Sequence, residues 1–187
     1  MTCFTCGTMI TTLRGEVAVE ALSIGDRVVT RDNGLKTIRR ISRRDFGYGQ
    51  MSAAPHLQPM LIGMGALGKG LPERDMLVSP GLRLLVAGDR MPIGPMSALG
   101  KGEALVAARH LVDMRGIRPC QVLGVSYVHV LLDRHEVLLA NGLWAEAFQA
   151  ADHSLGAVGN AQRTELAELF PALEKTRGEA RVARPGA

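Results

Sequence analysis

An all-β fold is what this sequence predicts, and three observations predict it. Two Asn-Gly pairs, Asn33-Gly34 and Asn141-Gly142, each lie between apolar runs, and Asn-Gly tolerates the positive φ of a tight hairpin turn. Short apolar segments alternate with Gly, Pro, Asp and Asn clusters as far as about residue 150, the spacing of a sandwich or barrel rather than of long helices. Apolar residues are 47% of the 187 but aromatic ones only 4%, so the core is aliphatic.

Taken in order, Met9 to Thr12 reads as a short strand, Arg14-Gly15 as a turn, and Glu16 to Val19 as the returning strand. Ala21 to Asp26 is a tight connection. Arg27 to Arg31 and Leu35 to Ile41 oppose each other across Asp32-Asn33-Gly34. Residues 45 to 59, rich in Gly, Ser, Ala and Pro, read as a loop. Met60 to Gly63 is a strand. Gly65 to Pro72 is a glycine-rich loop that fails the phosphate-binding pattern, because Gly70 follows Lys69 where Ser or Thr is required. Met76 to Val78 and Arg83 to Ala87 are strands flanking Ser79-Pro80-Gly81. Glu103 to Leu111 reads as a helical turn or short helix. Gln121 to Asp133 is the longest strand, with Tyr127, His129 and Leu131 on one face and Val128, Val130 and Leu132 on the other. Glu136 to Ala140 and Leu143 to Phe148 close the second Asn-Gly hairpin. Residues 1–153 thus form one β domain. Residues 154–176 form a short C-terminal helix, from the spacing of Leu166, Leu169, Phe170 and Leu173, and residues 177–187 a disordered tail.

Composition narrows the function. Net charge is +4 and the isoelectric point about 9.3. The one dense basic cluster, Arg39, Arg40, Arg43 and Arg44, is closed by Asp45 and has no interleaved aromatics to stack bases, so nucleic acid is not the expected partner. No apolar stretch approaches the ~18 residues that span a bilayer, and the N-terminus lacks a basic region followed by an apolar run. The expectation is a cytoplasmic protein without a membrane partner. Three cysteines, Cys3, Cys6 and Cys120, make a disulfide framework unfavourable. Cys3 and Cys6 form a C-x-x-C pair, but zinc needs two more ligands at suitable spacing, and His129, His135 and His153 supply no finger-like pattern. No metal and no cofactor are therefore expected, with a zinc or redox site at Cys3 and Cys6 kept as the weakest of three readings.

Several segments together resemble a family. Cys3-Phe4-Thr5-Cys6-Gly7-Thr8, followed by Val19-Glu20-Ala21-Leu22, Gly25-Asp26 and Val29-Thr30-Arg31-Asp32, looks like the opening of a Hint (Hedgehog/intein) domain. Val78-Ser79-Pro80 with Arg83-Leu84-Leu85-Val86, Glu103 to Ala108, His135-Glu136-Val137, Ala140-Asn141-Gly142 and Glu146-Ala147-Phe148 resemble its bacterial Hedgehog/intein-like subgroup. The resemblance spans residues 3 to 153. It implies a horseshoe-like β-fold with pseudo-twofold halves, and an N-to-S acyl shift in which Cys3 attacks the carbonyl of Thr2 and turns a peptide bond into a thioester. The substrate is then the chain's own N-terminal peptide bond.

The resemblance makes Cys3 the nucleophile, with Ser79 and His135 assisting, and implies that the three converge. A Thr-x-x-His motif in the family strains the peptide and protonates the departing nitrogen. The matching stretch here is Ser79-Pro80-Gly81-Leu82. Ser79 keeps the hydroxyl, but Leu82 has no donor, acceptor or titratable group. Cys6 stands where the subgroup usually has Pro, and Ala147 where it usually has Ser. Two residues precede Cys3, so cleavage there would release a dipeptide, unless the true start lies upstream or cleavage is no longer the purpose; no C-terminal Asn or Cys junction for splicing is evident, and cyclisation at Asn141, in a hairpin turn, would cut the domain itself. Two further readings follow: a self-processing domain that cleaves slowly or not at all and that Leu82→His would accelerate, and a catalytically degenerate β-module that binds a partner or serves structurally. His129 lines the site or is a satisfied core histidine, and Asp133 orients His135 or simply ends a strand.

Overall fold

The computed structural model describes residues 2–87, 102–112 and 114–149. Fourteen strands cover them: β1 (Phe4–Thr5), β2 (Met9–Thr12), β3 (Gly15–Ala18), β4 (Arg27–Thr30), β5 (Gly34–Thr37), β6 (Arg40–Gly47), β7 (Met60–Ile62), β8 (Met76–Val78), β9 (Arg83–Ala87), β10 (Glu103–Ala107), β11 (Ile117–Pro119), β12 (Gly124–Leu132), β13 (Glu136–Ala140) and β14 (Leu143–Gln149). The all-β class is the observed one. Strand pairing is antiparallel throughout except between β12 and β14, which run parallel at Leu131 and Phe148. The order β11-β7-β8-β1-β12-β14-β13-β2-β4-β5 makes β12 the central strand, flanked by β1 and also paired with β6 over eight residues. A nine-residue strand in that position has both faces covered, and from Tyr127 to Leu132 every residue is buried, so the alternation expected for a half-exposed strand gives way to a continuous apolar run.

Three local expectations change. Leu35 to Ile41 is two strands, because Ile38 turns fully into the core and Arg39 N–H bonds Leu131 O, handing the chain from β5 to β6. The stretch expected as a loop over residues 45–59 carries the end of β6, a short helix α1 (Tyr48–Ala53) and a 3₁₀ turn (Pro55–Leu57). Glu103–Ala107 is a strand and not a helical turn, since it pairs with Arg83–Ala87 along its whole length, and only Ala108–His110 is a 3₁₀ turn. The C-terminal helix expected over 154–176 and the tail over 177–187 lie outside the described residues.

The two Asn-Gly turns differ. Thr30 pairs with Gly34, so Arg31, Asp32 and Asn33 form a three-residue connection and Gly34 takes φ +64°. Ala140 pairs directly with Leu143 across Asn141 (φ +47°) and Gly142 (φ +77°), the two-residue form. Asn141 is buried. It accepts Met9 N–H on Oδ1 at 2.9 Å, gives its own N–H to Met9 O, and receives Glu73 N–H on its carbonyl. The turn is therefore bolted to β2 and to Glu73, the residue that follows the Gly65–Pro72 loop.

The core is aliphatic as expected, joining Phe4, Ile10, Val28, Ile38, Leu82, Leu84, Val106, Leu111, Val130, Leu132 and Leu138. In the basic cluster, Arg39 lies 2.8 Å from Asp133 and Arg43 2.9 Å from Asp45, and Arg44 stacks over the Phe46 ring. Among the described residues no helix is long and apolar enough to cross a membrane.

Candidate active site

Strand β1 is two residues long and lies between β8 and β12. Phe4 faces Val78 on one side and Val128 on the other. One step back along both antiparallel registers, Cys3 falls between Ser79 and His129, and directly opposed residues project to the same face of a sheet. The side chains meet accordingly. Cys3 Sγ is 2.6 Å from His129 Nε2, and the Cys3 N–H donates to Ser79 Oγ at 2.9 Å. In return the Ser79 N–H donates to the Cys3 carbonyl at 3.2 Å.

That hydroxyl contact has a local cause. Pro80-Gly81 forms a tight turn, with Pro pre-set at its second position. The turn sends the Ser79 carbonyl to the Leu82 N–H at 3.0 Å and away from β1. The side-chain Oγ takes the Cys3 amide in its place. The 3₁₀ turn at Ala108–His110 braces the arrangement from behind, with Ala108 N–H on Leu82 O and Arg109 N–H on Pro80 O.

The environment is closed. Cys3 and Ser79 are fully buried and His129 is 2% exposed. Burial pushes the His129 imidazolium down to about 4, so the ring is neutral at pH 7. Burial also raises the Tyr127 phenol, and a charge on Cys3 raises it further. Tyr127 gives its hydroxyl to Leu57 O at 2.7 Å and sets its ring edge-on to Phe46.

The structure thus brings Cys3 and Ser79 together, as the resemblance implied, but sets His135 elsewhere. His135 immediately precedes β13 at the surface, with its side chain 43% exposed and Nε2 2.7 Å from Glu146 Oε1, a carboxylate that also faces Arg83. Asp133 does not orient it, being held by Arg39. Cross-strand pairing explains this: β13 opens opposite Ala147 of β14, one strand removed from the β8-β1-β12 group. The histidine at the thiol is His129. Its signal in the sequence was the alternation that put it on the Tyr127 face. What the sequence did not reveal was which strand would lie against that face.

Cys6 is exposed whereas Cys3 is buried. The turn closed by Thr8 N–H on Thr5 O, with Gly7 at φ +87°, carries Cys6 off the end of β1. Among the described residues no group of three or more His, Cys, Asp or Glu side chains is placed to hold a metal ion. Cys6→Ser is expected to change unfolding free energy by no more than about 0.5 kcal/mol, the usual range for a surface position away from special features, as urea titration would measure.

With this geometry in hand, comparison with known families is decisive. The family model described as Hint domain matches residues 2–152. The chain belongs to the Hint domain family. Solved structures similar to this Hint domain include the bacterial intein-like domain from Clostridium thermocellum, at 14% identity and TM-score 0.46 over 79% of this chain and 99% of that one. A splice-inactive variant of the AceL NrdHF class 3 split intein aligns at 11% identity and TM-score 0.49, over 79% and 98%. The gp41-1 intein aligns at 12% identity and TM-score 0.44, over 78% and 98%. No curated protein matches this Hint domain.

Proposed function

We propose that this Hint domain is an autoprocessing domain that breaks the bond between Thr2 and Cys3 by an N-to-S acyl shift. Cys3 is the nucleophile and Ser79 the group on the leaving nitrogen. Its substrate is the peptide that enters the domain at Cys3, and it calls for no nucleic acid, membrane, metal or cofactor. One observation carries the reading: the Cys3 amide nitrogen, which must leave, is held by a buried hydroxyl at 2.9 Å, on the residue whose thiol must attack. An amide nitrogen in its ground state only donates. Once the carbonyl carbon becomes tetrahedral the nitrogen turns basic, and Ser79 Oγ–H can reverse its role and donate to it. The Cys3 Sγ–carbon bond forms, the carbon–nitrogen bond breaks, and the thiol's proton ends on the nitrogen. His135, engaged with Glu146 at the surface, has no part in this chemistry.

A second reading, a degenerate module that binds a partner, is favoured by Leu82, which is fully buried among apolar residues at the position where the family places its histidine. One experiment separates them. A reporter domain is fused ahead of Thr2, and its release with dithiothreitol is followed by gel and intact mass. Autoprocessing predicts release from the parent chain and none from Cys3→Ala. No release from the parent over days favours the binding module.

A further inference from the structure

The loss of an imidazole at position 82 leaves a gap in the proposed chemistry, since a thiol must lose a proton and an amine must gain one. We infer that His129 fills it, as the catalytic base that takes the proton from Cys3 Sγ and the acid that returns it to the departing Cys3 nitrogen. The inference rests on the autoprocessing reading and deepens it.

Geometry carries the assignment. Nε2 lies 2.6 Å from the reacting sulfur, inside hydrogen-bond reach. The contact is built by the fold and not by a mobile side chain: β1 and β12 are paired in register, and His129 is 2% exposed in the central strand of the molecule. His129 approaches Cys3 from β12 whereas Ser79 approaches from β8, so sulfur and nitrogen are each attended from a different neighbouring strand. In the tautomer protonated at Nδ1, Nε2 accepts from the thiol. As the sulfur–carbon bond forms, the proton passes to Nε2. As the carbon–nitrogen bond breaks, the imidazolium gives it up to the nitrogen and is neutral again, so no proton is gained or lost overall. The burial that depresses His129 makes it a reluctant base but a strong acid once charged, which suits the second half of the step, where amide resonance must be overcome by protonating the leaving group.

The test uses the full chain with its reporter. His129→Gln keeps much of the shape and a polar end but cannot titrate, and His129→Gly leaves room for added imidazole. Circular dichroism and thermal unfolding establish that each variant is folded. Release is expected to slow by roughly 10²–10⁴-fold in His129→Gln, the span of general acid–base assistance, and imidazole is expected to restore it in His129→Gly. A chain with Cys6→Ser and Cys120→Ser isolates the ultraviolet thiolate absorbance of Cys3, whose titration is expected to shift in His129→Gln. Parent-like release from folded His129→Gln, with Cys3→Ala silent, overturns the role of His129 and leaves autoprocessing standing. A parent chain that releases nothing overturns both.

Discussion

Leu82→His is expected to lower the free energy of unfolding by about 2–5 kcal/mol, the range for removing a large buried aliphatic side chain and placing a polar ring in its space. Leu82 has no exposed surface and belongs to the core cluster with Leu84, Val106 and Leu111. Its backbone is used on both sides, N–H to Ser79 O and O from Ala108 N–H, so the position cannot shift to bring a ring to solvent without opening the turn that presents Ser79. The family resemblance made the same substitution a route to faster cleavage. The two effects are separable. Urea titration reads the stability, and reporter release at a temperature where the variant is folded reads the rate, which is expected to rise per folded molecule if the new imidazole reaches the Cys3 nitrogen. A variant as stable as the parent would show that the pocket around Leu82 accepts a polar ring, contrary to its apolar lining. Leu82→Met, close in volume, is expected to cost under about 1.5 kcal/mol.

Acid is expected to weaken the fold well before the carboxylates titrate. Unfolded, His129 takes a proton near its ordinary value of about 6.5. Folded, burial holds it at about 4. Between these values the unfolded chain binds the extra proton, so stability is complete above about pH 6.5 and falls as pH drops toward 4. At 1.36 kcal/mol per unit the loss is about 3 kcal/mol. Denaturant titrations at intervals across that window measure it, and His129→Gln is expected to flatten the slope. A slope that persists unchanged in His129→Gln would place its source in another group. Asp45 and Asp133, both lowered by hydrogen bonds, to Ser126 and Arg39 first in each case, act in the opposite region. Their contribution is present above the ordinary carboxylate value and fades only below it.

How far the sequence disclosed this molecule depends on what each feature needs. The β2–β3 and β13–β14 hairpins were legible because a turn and its flanking residues are local, and Asn141-Gly142 states its geometry in two letters. Cys3 and Ser79 were legible through the resemblance. Glu103–Ala107 was misread because a five-residue apolar run fits a helical turn or a strand equally well, and only its partner β9, sixteen residues upstream at the nearest pair and separated by residues 88–102, decides the matter. That His129, and not His135, would lie beside Cys3 was hidden for the same reason. His129 lies within β12 and His135 in the connection that follows it, six residues on, and only the pairing of β1 with β12, a long-range choice that no local pattern records, puts His129 beside Cys3.

The three groups that meet at Cys3 stand 76 and 126 residues apart along the chain, counting from Cys3 to Ser79 and to His129. Protein synthesis runs from N to C, so Cys3 is made 126 residues before the imidazole it meets in the fold. Contacts of such separation form late, since the intervening loop must be closed before they are rewarded. A nascent or misfolded chain therefore carries an ordinary cysteine in an ordinary peptide, inert by lack of neighbours. The surroundings of Cys3 are thus assembled only when β1 is seated between β8 and β12.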